Sequence, residues 1–356
     1  MRTLRLAIVL VVLVSALLAP TAQAAGPYRD LALGALGWMA GQQQPDGSFP
    51  GFSAAATADA VLAICAVGGD PNGFLQAGHS PISYLAANAA ALAANAGSAA
   101  KTVLALVCAG HDPRDLAGTD MVAAVEQAAD PATGHYGYDL TSHAFALFAL
   151  AATGRPIPAA AISWLRAAQT PEGGWSWSGD PAAGGADTNS AALALQALVA
   201  GGAAASDPAI QAGLAYLHTQ QNADGGFPYA NPSPYGTATD ANSTAYVVQA
   251  LVAVGQDPEG ADWTVNGRTP LTALWKLQLP GGALEWQAGY GENTMATYQA
   301  VPALMLKPFP LARTTVGEAP ALLPETGVAT ARPAGLALVG LGGVLLGLAL
   351  RRRHAA

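Results

Sequence analysis

Charge is scarce in this sequence: 11% of its residues are Asp, Glu, Lys or Arg, against 52% hydrophobic. So little charge is incompatible with a solvated tail, and the apolar content has to be buried. Bases are the scarcer sign, 15 Lys and Arg against 23 Asp and Glu, giving a net charge of -8. That balance excludes a nucleic-acid partner, which needs a basic face to meet phosphate. Cysteine is nearly absent, and the two present, Cys65 and Cys108, leave room for one disulfide but exclude a thiolate metal cage. No metal site is expected.

Two apolar runs lie near the ends of the sequence. Arg2 and Arg5, the stretch Leu6 to Leu18 and then Ala22-Gln23-Ala24 predict a signal peptide over 1–24, and hence export. At the other end a linker over 314–333 holds Leu-Pro-Glu-Thr-Gly at Leu323 to Gly327. An apolar segment over 334–350 follows, then a basic tail over 351–356 that stays on the inner face. This order resembles a sortase sorting signal. The resemblance implies cleavage between Thr326 and Gly327 and attachment to peptidoglycan at the cell surface, with sortase as a partner. A plain single-span membrane anchor is the alternative.

The remaining 25–313 is internally repetitive. Apolar stretches end again and again in Gly and a Pro turn, at Pro71, Pro113, Pro156, Pro258 and Pro310, with Gly201-Gly202 before Pro208 as a variant. Gly and Pro at those places are helix stop signals, and their period is about 42 to 52 residues. Each period holds two helical stretches, as in "AAAISWLRAAQ" and "NSAALALQALVAGG", making six pairs. The first and last repeats lack the polar outer faces that the caps of an open solenoid need. The second helices are small and apolar, as for an inner ring packed on both sides. The expected fold is an all-α α6/α6 toroid, a double ring of six helix pairs, and a monomer.

Joining the helices of a pair is a recurring frame of Gln, two residues, an acid, Gly, a spacer and an aromatic. Gln169, Glu172, Gly174 and Trp175 carry it best, then Gln221, Asp224, Gly226 and Phe227, then Gln43, Asp46, Gly47 and Phe49, with fainter versions after Gln127 and Gln278. It resembles the Gln-Trp repeat of squalene and hopene cyclases, within the terpenoid cyclase and protein prenyltransferase superfamily. That resemblance implies a structural tie between outer helices, with the Gln bonding helix-end groups and the Gly permitting the turn. A narrower likeness, over Thr170 to Gly173 and Ser190 to Gln196, is to the α-domain of cobalamin carriers, and implies a possible corrinoid ligand. The β-rich second domain that closes those carriers is missing.

The chemistry of the catalytic relatives is missing too. No Asp-x-Asp-Asp acid cluster occurs; the nearest stretches, around Asp187-Asn189 and Asp240-Asn242, read as helix caps. Cys65, Cys108 and His143 do not lie where they could share a zinc. A rim pair drawn from Asp187, Asp240 and Glu292 would serve an extracellular hydrolase or lyase. The preferred reading is a non-catalytic binding module for a large amphipathic ligand, a corrinoid or a glycan. Its site is expected at the rim where the inner helices start, whose free N–H groups favour polar or anionic groups. His143, Asn189, Gln196, Asn242, Gln249, Tyr298 and Gln299 are the candidate ligand residues. Gln196 and Gln249 recur in register inside apolar helices, so they serve either a ligand or a bond to the next helix. Cys65 and Cys108 sit at matching places in successive second helices, and are either disulfide-bonded or two buried thiols.

Overall fold

A computed structural model describes residues 26–311 apart from 183 and 235. The predicted leader (1–24), the linker with Thr326 and Gly327, the apolar segment 334–350 and the basic tail lie outside the described residues. No helix among the described residues is long and apolar enough to cross a membrane.

The chain folds as successive helix pairs: α1 (Gly26–Ala40) with α2 (Ala56–Ala66), then α3 (Pro81–Ala87) and α4 (Ala89–Ala93) with α5 (Ala96–Cys108). The next pairs are α6 (Met121–Gln127) with α7 (Leu140–Ala152) and α8 (Ala159–Ala167) with α9 (Thr188–Ala200). Last come α10 (Pro208–Gln220) with α11 (Ala241–Ala253) and α12 (Pro270–Leu277) with α13 (Thr294–Leu304). The described residues contain no strand, only isolated β-bridges that pin the loops.

The second helices of the pairs pack in a closed cycle, α2 on α5, α5 on α7, α7 on α9, α9 on α11, α11 on α13 and α13 back on α2. The expected toroid is therefore present. The pattern follows from composition: Ala56–Ala66 is buried along its whole length, and α9 and α11 bury every position from Ser190 to Leu198 and from Ser243 to Leu251. Helices apolar all round cannot face water on any side. The first helices form the outer layer and keep an exposed face.

Each strong copy of the Gln motif makes the same joint. The side-chain amide of Gln169 donates to the carbonyls of Gly173 (2.8 Å) and Ala209 (2.9 Å), the second lying on the next outer helix. Gln221 bonds Gly225 and Trp263 in the same way, and Gln43 bonds Gly47 and Phe74. Gln278, faint in the sequence, works as well as any: it donates to Gly282 (2.9 Å) and to Leu31 of the first helix (2.8 Å), closing the ring across 247 positions. The turn glycine stands four places after the Gln, so it is Gly173 and Gly225 rather than the Gly174 and Gly226 of the sequence reading. At the closing joint Gly282 has φ +95°, and a Cβ there would strike the backbone of Gly34. A side chain of any kind would wedge the two ends of the ring apart.

After α13 the chain turns under the ring. Gln249 donates to the Lys307 carbonyl (2.9 Å) and Gln196 accepts from the Phe309 N–H (3.0 Å), while the Phe309 ring packs on Phe145 and Phe148. Pro310 and Leu311 reach the C-terminal ends of α5 and α7, beside Gly110 and Ala152. This strap crosses the end of the bore. Cys65 and Cys108 are joined in a disulfide with Cα atoms 6.1 Å apart, as their matching positions allow.

Two stability outcomes follow. Gln278→Ala strips the Leu31 carbonyl of its partner at the closing joint and is expected to lower unfolding free energy by about 1–3 kcal/mol, measured by denaturant titration, with exposed Gln44→Ala unchanged. Reducing the disulfide, which spans 43 residues, is expected to lower stability by roughly 4 kcal/mol in the same titration.

Candidate functional site

The inner helices all begin at one rim, and their caps set its electrostatics. Asn95, Asp139, Asp187, Asp240 and Asn293 accept N–H bonds from Ser98, Ser142, Ser190, Ser243 and Ala296 at 2.6–3.0 Å. The capping groups in α9 and α11 are thus the aspartates, while Asn189 and Asn242, expected as caps, stand two places further on and are released toward the bore. Of the helix starts expected to favour polar or anionic groups, three hold the protein's own carboxylates, Asp139, Asp187 and Asp240.

At this rim opens a cavity of about 790 Å³. Its walls are Trp177, Tyr229, Trp286 and Tyr246, with Phe52, Leu193 and Met295, and its polar groups include Asn189, Asn242, Gln299, Asp187, Asp240 and Lys101. Phe52 is 96% exposed and Trp177 51%, so part of the aromatic surface stands open. Trp177 meets Tyr138 edge-on at 6.0 Å, and Trp286 meets Tyr290 at 5.1 Å, extending the rings outward on two sides. Apolar walls with a few convergent hydrogen-bonding groups describe a small-molecule site.

Of the candidate ligand residues, Asn189, Asn242 and Gln299 line this cavity, and Asn242 Nδ2 donates to Gln299 Oε1 (2.7 Å). Asn189 Oδ1 is shielded from solvent and has no hydrogen-bond partner. The other four do not reach it. His143 is fully buried, accepting at Nδ1 from the Tyr136 N–H (3.1 Å) and placing Nε2 against the Ala161 carbonyl (3.2 Å). Burial, with the nearby His135, pushes it down to about 3, so it is a neutral crosslink. Tyr298 is buried against Phe49 and donates to the Pro50 carbonyl (3.2 Å) at the ring closure. Gln196 and Gln249 hold the strap, a partner that is neither a ligand nor the next helix.

Repeat alignment carries the missed signal for His143. It stands four places past its cap Asp139, as Thr244 does past Asp240 and Thr297 past Asn293, and each accepts a loop N–H, from Tyr136, Phe227 and Leu284. Phe52, Tyr246, Met295 and Lys101 were not anticipated. Lys101 was legible: it is the one base in the inner helices, and Asp59 the one acid, on neighbouring α5 and α2. They form a shielded ion pair at 2.9 Å, with the ammonium also 4.9 Å from the Phe145 ring centre.

Among the proposed acids, Asp187 and Asp240 line the cavity, and Glu292 is exposed and does not. Burial pushes Asp187 up to about 6, opposed by its bonds from Ser190 (2.8 Å from N–H, 2.7 Å from Oγ) and Tyr229. Burial likewise raises Asp240, opposed by Ser243 and the Trp286 indole N–H. No cluster of metal-ligating side chains occurs among the described residues.

Residues 121–265 match the Squalene-hopene cyclase C-terminal domain family, less than half of the chain. The fold is similar to that of apo type II terpene cyclase MstE from Scytonema, with a TM-score of 0.55 and 14% identity over 78% of this chain and 97% of that one. The same cyclase carrying D109A, in complex with merosterolic acid A, gives 0.54 and 14% over 79% and 98%. Haptocorrin in complex with Cbi gives 0.51 and 18% over 84% of this chain and 72% of that one. No curated protein matches by sequence. At these identities what is shared is a fold, the terpenoid-cyclase-like toroid.

Asp187 sets a pH expectation. Its folded value, about 6, lies above the unfolded carboxylate, so its ionisation opposes folding and the native state gains stability as pH falls from 6 toward 4. His143 works the other way below its unfolded value, since only the unfolded chain takes up its proton. Comparing native protein with Asp187→Asn isolates the carboxyl. The difference in their unfolding free energies is expected to favour native protein more at pH 4.5 than at pH 7, by about 2 kcal/mol.

Proposed function

We propose that this chain is a non-catalytic binding module that seats a large amphipathic ligand, a corrinoid or a glycan, in the aromatic cavity at the inner-helix starts. The carrying observation is the cavity itself, about 790 Å³ with aromatic walls and an amide cluster at Asn189, Asn242 and Gln299. Rings offer flat apolar faces to a sugar or a macrocycle, and the amides fix orientation. The cobalamin-carrier likeness of Ser190 to Gln196 and the fold shared with haptocorrin support a corrinoid. A toroid alone does not fix chemistry, so the site has to carry the reading.

The leader over 1–24 and the Leu323 to Gly327 motif before 334–350 support export and surface anchoring of a monomer, with sortase cutting between Thr326 and Gly327 and peptidoglycan as acceptor. A membrane anchor formed by 334–350 would give the same exposure.

One observation favours a second reading, an extracellular toroid hydrolase or lyase: Asp187 lines the cavity and is raised to about 6, a value suited to a general acid. Against it, both Asp187 oxygens are held by Ser190 and both Asp240 oxygens by Ser243 and Trp286, which ties each carboxylate to a helix start. Calorimetry with a corrinoid panel and a soluble glycan panel separates these readings. A member of one panel is expected to bind without turnover, and Trp177→Ala to weaken it by about tenfold, the scale of one lost aromatic contact. Turnover of polysaccharide that disappears in Asp187→Asn would establish the enzyme instead.

A further inference from the structure

We infer that the cavity selects for positive charge: its ligand is an amphipathic molecule carrying an amine or quaternary ammonium group. This deepens the proposed function and rests on it.

The lining contains one cation, Lys101, and that charge is already matched by Asp59 at 2.9 Å. What is left over is acidic. Asp187 and Asp240 cap α9 and α11 on the same wall, and no base among the described lining residues faces them. Their bonds come from neutral donors, Ser190, Ser243, Trp286 and Tyr229, which hold the carboxylates in place without cancelling their charge.

The rings add to this field. Trp177, Tyr229, Trp286 and Phe52 line the same cavity, and an aromatic face attracts a cation within about 6 Å of its centre, most strongly when water is excluded. Within the protein Lys101 already uses that attraction against Phe145. An anionic group would meet two carboxylates, four negative ring faces and no unmatched base. At the starts of α9 and α11 its usual refuge is occupied by Asp187 and Asp240 themselves.

The test uses three probes with one alkyl chain, decyltrimethylammonium, decyl maltoside and decyl sulfate, each below its micelle concentration. Binding to the folded protein is read from the fluorescence of Trp177 and Trp286, with helical circular dichroism as the check on folding. The ammonium probe is expected to bind about tenfold tighter than the maltoside, and the sulfate weakest. Asp187→Asn and Asp240→Asn keep one capping oxygen, and each is expected to cut ammonium binding several-fold more than it cuts maltoside binding. Should either variant fail to fold, the order of the three probes on native protein still decides. Equal binding of ammonium and maltoside, or tighter binding of sulfate, overturns the charge selection and leaves the binding module standing. No binding by any probe overturns both.

Discussion

A helix with no polar face has to be covered on every side, and six such helices can cover one another only by closing a ring. Everything else in this protein serves that closure. The outer helices shield the back of the ring, and the Gln side chains pin each joint to the next through backbone carbonyls, whose hydrogen bonds do not depend on the side chains around them. This explains how a chain with so little charge holds its layers in register. The bond from Gln278 to Leu31 is the same bond as at Gln43, Gln169 and Gln221, made between the two ends of the described chain.

Closure also decides where chemistry can reside. Inner helices running the same way bring their starts to one rim, and each start demands an acceptor. The chain answers with acidic side chains in three of them, so a ring that might have gathered positive helix ends instead presents a wall of carboxylates among aromatic rings. The groups that let α9 and α11 begin are therefore also groups that line the cavity.

Much of the architecture was legible because it rests on punctuation and repetition. Gly-Pro stops gave the helix pairs, and the apolar second helices gave the inner ring. The matched positions of Cys65 and Cys108 gave their pairing as one of two options. The site was legible in part. Asn189 and Asn242 follow from standing at the helix starts, whereas Gln196, Gln249, His143 and Tyr298 looked equally polar and equally inward. Depth separates Gln196 and Gln249, nine places past their caps, while His143 and Tyr298 lie at the depth of the lining residues on other helix faces, bonded to Ala161 of an outer helix and to Pro50. His143 required comparing repeats at a fixed offset from the cap, where Thr244 and Thr297 do the same job. Gln196 and Gln249 required knowing that the chain returns beneath the ring after α13, which no local pattern signals. Phe52, in a loop before an uncapped helix, left no periodic trace.

The strap from Lys307 to Leu311 gives the bore a floor. With Phe309 wedged against Phe145 and Phe148 and its backbone held by Gln196, the ring is a cup and not a tube. A polymer cannot be threaded through it, and only a chain end, a side branch or a compact molecule can be accommodated. Any occupant would enter and leave by one mouth, past the exposed Phe52 and Trp177, so it would have to depart before a successor could arrive.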